Sequence, residues 1–449
     1  MKVTAIAITP PVGAKNSPRV TPELLASSLA RYSRSNEGLA AILADIDWNS
    51  PDEAVDRIFR FVDYGHASIA GLTGGIAIAI DNCSMLMAYK LFEISQLCDG
   101  QESSTRYIEM APSGLPQPDA IGIPKHLASE WLSVMTKAFS IYNEVYNDLD
   151  RQAIDNPAIV RLPKDATPKV AKRLQKNFAL DRSRYFIPLA TNTNAALVMT
   201  ARAWTHTIRQ LDSSPLPEAQ TCAAQLRAEL EKFTPRLVRH TFKDTASCEQ
   251  ALQEIQFSTE RIQKQGVGIT NIPDEVFVSV ERNYPNFLPD TQTLHQAFAG
   301  KANRYSAVGA ALKRIFVRFA WNNISIAELR DLNRHRTGHR FSALTPIGFY
   351  TPEEVNHPAQ QPLLERHKIL IEKLAADGRG AHYYAYLLGE QSPFEHSTHA
   401  DKFLYEVELR TGMGAHFRYA EHLTAVYREF LKQMPEIAPY VQLGTAEPE

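Results

Sequence analysis

The apolar positions near the start of the chain recur at helical spacing. Leu24, Leu25 and Leu29 fall on one face of a first helix, and comparable spacing continues through residues 21–62. At positions 49–53 the run Asn-Ser-Pro-Asp-Glu places a capping residue before a proline, which predicts a new helix that begins there. We therefore expect a helical N-terminal region.

The pattern changes at residues 76–80, where isoleucine and alanine alternate. Such alternation predicts a strand with one face of large side chains. Residues 84–93, which are rich in Met, Leu and Ala, predict a helix directly after this strand. Amphipathic patterns predict further helices over 126–150, 196–211 and 217–237.

A second block begins after residue 245 and resembles the first. Residues 79–84 and 320–325 align at a constant spacing with identical Ala, Asn and Ser, and both predict a strand followed by a helix. Residues 400–434 predict a helical C-terminal part like that of the first block. Residues 245–300, rich in Asn, Pro and Gln, predict a connection and a degenerate start of the second block. These similarities favour two tandem halves.

Composition narrows the class of protein. A length of 449 residues favours two or three domains, and 44% apolar with 22% charged residues is typical of a soluble globular protein. A net charge of −2 gives no basic field for nucleic acid. The four cysteines lack metal-type spacing and fit a reduced, cytoplasmic protein without a metal centre. Charged residues interrupt the longest apolar stretch, 76–94, so we expect no membrane span.

Basic side chains crowd one short segment of the second half. The segment contains Arg334, His335, Arg336, His339 and Arg340. We predict a helix from Ser325 whose last turn holds the first three and whose cap is Gly338. Cations there suit the negative end of the helix dipole, so a purely structural role is open. Their mutual repulsion equally favours a bound anion, and guanidinium groups suit phosphate.

A second candidate segment follows a predicted turn in the first half. Glu102, Ser104 and Arg106 alternate, so in an extended loop all three side chains point the same way. A carboxylate, a hydroxyl and a guanidinium on one side could hold a polar ligand. The alternative is a solvated loop with a local ion pair of little energetic consequence.

Together the two segments resemble the flavin-dependent thymidylate synthase family. That family carries Arg-His-Arg, two residues, Ser, one residue, Asn-Glu, one residue, Ser, one residue and Arg-Tyr in one block. Residues 99–107 (Asp-Gly-Gln-Glu-Ser-Ser-Thr-Arg-Tyr) resemble the second part, and residues 334–336 match the first. The family block is thus divided between the two halves of this chain.

Four further segments resemble the same family. Residues 30–33 (Ala-Arg-Tyr-Ser) and 65–68 (Gly-His-Ala-Ser) are similar to its flavin-contacting segments. Residues 184–189 (Arg-Tyr-Phe-Ile-Pro-Leu) resemble its Arg-x-x-Leu-Pro-Leu, whose Arg binds the nucleotide. Residues 403–410 resemble a family segment that ends in Leu-Arg, and the Arg of that segment binds the uracil.

The chain also departs from the family pattern. Residues 93–95 (Glu-Ile-Ser), or the triplet one residue on, occupy the Arg-His-Arg position of the first half. The second half carries Ser342, Leu344 and Pro346 in place of the loop Glu, Ser and Arg. The flavin-side Asn and Arg are replaced by His399 and Asp401, and the family's Glu-His after the Gly-His-x-Ser segment is missing. Asp331 stands where the family often has a nucleotide-contacting Gln, which leaves a different pyrimidine nucleotide or nucleoside open as substrate.

The resemblance implies a role for each retained residue. It implies substrate binding by Glu102, Ser104, Arg106, Arg184, Arg334 and Arg410. Arg334 and Arg410 are also the implied catalytic residues, and Arg334, Arg106 and Arg184 would clamp the phosphate. It implies flavin contacts by Ser33, His66, Ser68, His335 and Arg336.

The implied architecture is α+β. It comprises two tandem thymidylate-synthase-like α/β domains, residues 1–245 and 246–449, that form a pseudo-dimer with one composite site. A homodimer would then mimic the family's tetramer. The implied reaction is reductive methylation of a pyrimidine nucleotide, dUMP or a related one, with FAD as cofactor and NADPH and methylenetetrahydrofolate as co-substrates. The alternative is a non-catalytic nucleotide-binding or assembly protein of the same fold that has lost the flavin.

Overall fold

The secondary structure alternates short sheets with helices, as expected for an α+β protein. The computed structural model describes residues 1–7, 22–47, 49–59, 75–95, 97–199, 201–231, 238, 241–282, 287, 289, 292–304 and 306–446. The strands are β1 (Lys2–Ala7), β2 (Ile76–Ser84), β3 (Cys98–Glu102), β4 (Asn192–Met199), β5 (Val276–Glu281), β6 (Phe316–Ser325), β7 (His339–Ser342), β8 (Gly348–Phe349) and β9 (Glu390–His399).

The helices precede, link and follow these strands. They are α1 (Pro22–Tyr32), α2 (Leu39–Ala44), α3 (Pro51–Phe59), α4 (Met85–Ile94), α5 (Ala128–Asp155), α6 (Pro168–Ser183), α7 (Ala201–Ser213), α8 (Pro217–Glu231), α9 (Thr245–Gln265), α10 (Leu294–Phe298), α11 (Ala310–Lys313), α12 (Ile326–Leu332), α13 (Gln360–Ala375), α14 (Ala400–Arg410) and α15 (Phe417–Gln433). Within the described ranges, none combines the length and the apolar character needed to cross a membrane.

The chain divides into two compact units that interleave along the sequence. Unit 1 comprises Met1–Ser140, Ile187–Gly266 and Gln361–Leu387. Unit 2 comprises Ile141–Phe186, Val267–Gln360 and Leu388–Glu449. Unit 2 therefore contains a helical segment from the first half of the sequence, and Arg184 lies in that segment.

Unit 1 is built on an antiparallel sheet with strand order β1-β2-β4-β3. The isoleucine and alanine alternation of residues 76–80 forms β2, as predicted, and both of its faces are buried. The alanine face packs under α1 and α2, because Ala77 and Ala79 form a core cluster with Leu29, Tyr32 and Ile42. Small side chains on that face let the helices approach the sheet closely.

Unit 2 repeats this plan with larger core side chains. Its antiparallel sheet has the order β5-β6-β9-β7, and β8 also pairs with β9. Trp321 on β6 stacks on Phe394 of β9 with ring centroids 5.5 Å apart, and Phe319 packs against Phe403 of α14 at 5.5 Å. Aromatic burial of this kind supplies much of the apolar area of a core.

The two central strand pairs share an irregularity. The pairing of β2 with β4 shifts register between Ile80 and Cys83. The pairing of β6 with β9 shifts between Trp321 and Ile324, which are the aligned positions of the second half. Asn82, inside the first bulge, has a φ of 57°, a conformation that asparagine tolerates better than most residues.

Two predicted elements differ from the structure. Residues 196–199 belong to the buried strand β4, whereas we predicted a helix from 196; the helix begins at Ala201. A short apolar run is ambiguous between strand and helix, and pairing with two neighbours decided the outcome. Residues 245–265, predicted as a connection, form the 21-residue helix α9. Asp244 is the N-cap of this helix, and its side chain accepts a hydrogen bond from the Ser247 amide.

Candidate functional site

The basic segment of unit 2 follows a helix that is shorter than predicted. Helix α12 ends at Leu332 with Asn333 as its C-cap, so residues 334–336 lie beyond its last turn. Gly338 has a φ of 88° and immediately precedes β7, and is therefore not the helix cap. The basic residues thus follow the last turn of the helix, whereas we predicted that they form it.

A buried carboxylate anchors the start of α12. Glu328 accepts at Oε2 from the amide (3.2 Å) and the hydroxyl of Ser325, in a capping box. At Oε1 it accepts from the hydroxyl of Tyr185 at 2.7 Å. Burial raises the pKa of Glu328 although Arg184 is near. These contacts join residue 185 of the first half of the sequence to a helix of the second half.

Arg184 lies beside the same helix, within unit 2. Both of its terminal nitrogens are 3.3 Å from Oδ2 of Asp331, and one is 3.8 Å from Oε1 of Glu328. The Arg184 side chain is 1% exposed and that of Asp331 is 17% exposed. Burial alone would lower the pKa of Arg184, but Asp331 and further anionic neighbours, including Asp181, raise it. The cation is therefore held by carboxylates of the protein.

Arg410, at the end of α14, meets the basic segment. Its Nε donates to Nε2 of His335 at 2.7 Å, and its Nη2 donates to the main-chain oxygen of Asp331 at 3.1 Å. Burial lowers the pKa of His335 to about 3, and the Arg410 cation opposes its protonation further. Asp331 thus contacts two predicted nucleotide-binding arginines, Arg184 through its carboxylate and Arg410 through its backbone.

A second buried pair, Glu406 and His396, lies near Arg410. Oε2 of Glu406 is 3.1 Å from Nδ1 of His396, and its Oε1 is 3.9 Å from Nε2 of His335. Nε2 of His396 is 2.9 Å from the carbonyl oxygen of Thr337, which can only accept a hydrogen bond, so Nε2 is the donor. Burial alone would raise the pKa of Glu406, but its basic neighbours, among them His396 and Arg410, lower it to about 2. This network fixes the basic segment against α14 and β9.

The remaining members of the basic segment are partly buried. Arg334 and Arg336 have intermediate exposure, and Nη1 of Arg336 donates to the carbonyl oxygen of Arg334. β7 then pairs His339 with Ser397 of β9. Unit 2 therefore brings Arg184, Arg334 and Arg410 of the predicted substrate set to the C-terminal end of α12.

The predicted loop set of the first half lies in unit 1. Glu102 ends β3 and is buried, whereas Ser104 and Arg106 are partly buried. The segment is not extended past Ser104, since a turn follows in which the amide of Tyr107 donates to the Ser104 carbonyl at 3.1 Å. The extended segment in which alternation would turn all three side chains the same way therefore ends before Arg106. Its guanidinium lies 6.0 Å from the Tyr107 ring centroid.

The predicted flavin set is only partly within the described residues. His66 and Ser68 lie outside them. Ser33 is buried and its hydroxyl donates to the carbonyl of Ala30 at 2.9 Å. His335 is buried and accepts from Arg410. The Ser33 hydroxyl proton and Nε2 of His335 are thus used within the protein, and neither group offers that atom to a ligand as placed.

Unit 1 carries reversed charges at the aligned positions. The spacing that aligns the two halves puts Lys90 at the position of Asp331 and Glu93 at that of Arg334. Nζ of Lys90 is 2.7 Å from Glu93 Oε2 and 3.8 Å from Glu254 Oε2. An acid replaces a guanidinium and the lysine charge is compensated, so this part of unit 1 is unfavourable for phosphate.

Several residues that shape the site were not predicted from the sequence. The missed residues are Tyr185, Glu328, His396 and Glu406. One local pattern could have indicated a structural role, because Ser325 and Glu328 have the spacing of a capping box. The spacing of Glu406 and Arg410, four residues apart on a helix, puts them on one face but does not reveal the histidines between them.

Comparison with known proteins agrees with these motifs. Residues 20–236 match the family described as thymidylate synthase complementing protein, Thy1. This match supports the resemblance to flavin-dependent thymidylate synthases in that part of the chain. Ser33, Glu102, Ser104, Arg106 and Arg184 lie inside the matched residues, whereas Arg334 and Arg410 lie outside them.

Two individual proteins are similar to the chain. The UPF0159 protein Ta1429 of Thermoplasma acidophilum is 22% identical over 475 residues, which cover 92% of this chain and 94% of that protein. The crystal structure of a UMP/dUMP methylase, PolB from Streptomyces cacaoi bound with 5-Br dUMP, is also similar. The sequences are 14% identical, and the match covers 53% of the present chain and 93% of the PolB chain. Its TM-score of 0.26 does not by itself assign a fold or a ligand here.

Proposed function

We propose that this protein binds a pyrimidine nucleotide, dUMP or a related one, and transfers a carbon unit to its ring, as thymidylate synthases of its family do. The observation that carries the proposal is the contact of Asp331 with both Arg184 and Arg410. Arg184 lies in the part that matches the family, and Arg410 ends a family-like segment in the other half. Unit 2 thus assembles family-type residues from both halves of the sequence.

The basic side chains have separate proposed roles. Arg334 and Arg106 bind phosphate, for which guanidinium groups offer paired donors. Ser104 donates to the phosphate, and Glu102 accepts from the sugar or orients an arginine. Arg410 donates to the pyrimidine carbonyls and stabilises negative charge that develops on the ring, a form of electrostatic catalysis.

We also propose that the chain is a tandem duplication that behaves as a pseudo-dimer, with domains 1–245 and 246–449 and one functional composite site. The shared strand order and the register shifts at aligned positions of β2 and β6 support the duplication. The reversed charges at Lys90 and Glu93 support the loss of the reciprocal site. A homodimer of chains would mimic the family's tetramer.

The family implies FAD, with NADPH and methylenetetrahydrofolate as co-substrates. The second candidate is a nucleotide-binding or assembly protein that has lost the flavin, and the internal hydrogen bonds of Ser33 and His335 are compatible with it. The visible spectrum of the purified protein separates the two. A flavin spectrum, as isolated or after addition of FAD, supports the enzyme; a colourless protein that takes up no FAD but binds dUMP supports the binding protein.

Nucleotide binding is tested by titration calorimetry with dUMP. Arg334→Ala, Arg106→Ala and Arg410→Ala are each expected to weaken binding by roughly a hundredfold, because truncation of a charged, partly desolvated contact is costly. Lys432→Ala, on the exposed side of α15, is the matched control and should bind normally. Normal dUMP affinity of Arg106→Ala would contradict the composite site.

Mixing inactive variants tests where the site forms. Equal amounts of Arg106→Ala and Arg334→Ala chains regain binding only if chains exchange and each site draws residues from two chains. Absence of recovery after verified subunit exchange favours a site within one chain.

A further inference from the structure

The Arg184 guanidinium is neutralised before any ligand arrives. Both terminal nitrogens face Oδ2 of Asp331 at 3.3 Å, and Glu328 is 3.8 Å from one of them. Asp181 adds a further negative charge near this cation. Arg184 thus has several carboxylates around it within unit 2.

These neighbours oppose phosphate binding at Arg184. A phosphate that contacts this guanidinium must displace Asp331 from a buried ion pair, and one partner of the pair then lacks its counter-ion. The incoming dianion also meets the carboxylates that surround Arg184, and like charges repel strongly where water is excluded. Arg184 is therefore poorly suited to the phosphate role that the resemblance implies.

The reachable member of the pair is the carboxylate. Asp331 is 17% exposed, against 1% for Arg184. An ionised carboxylate accepts hydrogen bonds and cannot donate them, so it matches N–H or O–H groups of a ligand. Arg184 holds one of its oxygens in place, and Arg410 binds the backbone of the same residue.

We propose that Asp331, positioned by Arg184, accepts a hydrogen bond from a neutral donor of the nucleoside part of the substrate. The donor is the ring N3–H of uracil or a sugar hydroxyl, and the phosphate binds elsewhere in the site. This inference rests on the proposed function and names which part of the ligand the acidic residue recognises. Asp331 is a specificity-determining residue, and Arg184 is a positioning residue.

Paired titrations test the assignment. Dissociation constants of deoxyuridine and dUMP are measured for the wild type and for Asp331→Asn. Loss of a hydrogen bond to a charged acceptor should weaken deoxyuridine by about tenfold to a hundredfold. dUMP loses the same hydrogen bond, but its phosphate also meets less negative charge, so dUMP should weaken by a smaller factor. Glu354→Gln, which alters the more exposed ion pair of Arg182, is the matched control and should leave both constants unchanged.

Other outcomes overturn the inference. If Asp331→Asn leaves the dissociation constant of deoxyuridine unchanged or lowers it, the carboxylate does not contact the nucleoside and the inference fails. Asp331→Glu, which keeps the charge, replaces the asparagine variant if that variant fails to fold, and should weaken both ligands equally. If the wild type binds neither deoxyuridine nor dUMP, the proposed function fails and the inference fails with it.

Two analogues identify the donor. The wild type should bind either N3-methyldeoxyuridine or 2′,3′-dideoxyuridine more weakly than deoxyuridine, and Asp331→Asn should remove that discrimination. Undiminished discrimination against both analogues in the asparagine variant would overturn the inference.

Discussion

Nε of Arg410 lies 2.7 Å from Nε2 of His335, and this contact defines the protonation of the imidazole. A guanidinium can only donate, so Nε2 must be the accepting nitrogen and the ring is neutral. The pKa of His335, lowered to about 3 by burial, agrees with that assignment. The basic segment therefore carries less positive charge than its composition indicates.

Replacing Arg410 by lysine should impair nucleotide binding although the charge is kept. An ammonium group cannot reproduce the planar arrangement that reaches both His335 and the Asp331 carbonyl oxygen. We expect dUMP affinity to fall at least about tenfold, as for loss of a charge-assisted hydrogen bond. Titration calorimetry measures this, and dUMP affinity equal to that of the wild type would show that the two contacts do not position Arg410.

Replacing Gly338 by alanine should destabilise unit 2. Gly338 has a φ of 88°, and an added Cβ would lie 2.1 Å from the carbonyl oxygen of Ser397. We expect a loss of about 1–3 kcal/mol in the free energy of unfolding, together with weaker dUMP binding, because β7 can no longer pair with β9 undisturbed. Urea denaturation measures the stability.

Gly378→Ala is the matched control for that variant. Gly378 also has a positive φ, 67°, but a Cβ there meets nothing within 4 Å. It therefore isolates backbone strain from the steric clash. Equal destabilisation by the two substitutions would show that contact with Ser397 contributes nothing.

Removing the buried carboxylate of Glu328 should be severe. Glu328→Ala leaves the Tyr185 hydroxyl, both donors of Ser325 and the nearby Arg184 without this acceptor. We expect a loss of about 3–5 kcal/mol in the free energy of unfolding, as for other broken buried charge networks. Glu354→Ala, which removes a carboxylate with 37% exposure, should cost under about 1 kcal/mol. If urea denaturation showed similar losses of unfolding free energy for Glu328→Ala and Glu354→Ala, the buried network would not contribute as stated.

The stability cost of His382→Gln should depend on pH. Burial lowers the pKa of His382 to about 3, and Ser258 Oγ lies 3.2 Å from its Nε2. In the unfolded chain this histidine takes up a proton near pH 6.5, whereas in the folded protein it stays neutral. The free energy of unfolding of the wild type therefore falls as the pH drops below 6.5. Between pH 7 and pH 5 the free energy of unfolding of the variant should rise by about 2 kcal/mol relative to that of the wild type. The exposed His399→Gln should show no comparable gain in urea denaturation at the two values.

Local pattern predicted those elements whose structure depends on neighbours in sequence. The alternation at residues 76–80 became a strand, and the proline at 51 begins α3. Residues 196–199 were assigned to the wrong class because a short apolar run fits a helix as well as a strand, and pairing with β2 and β3 settled it. The helical segment 245–265 was missed because its polar composition resembles that of a connection.

By itself, the sequence determined the class of the strands and helices with strong periodicity, and it predicted two similar halves and the residue types of a nucleotide site. Only the tertiary structure decided that Arg184 faces Asp331 and that Arg410 binds a neutral His335. The physical reason is that periodicity reports which face of an element is buried, whereas charge compensation depends on groups far apart in the chain. A guanidinium beside a carboxylate differs chemically from one left to bind phosphate, and folding alone brings those partners together.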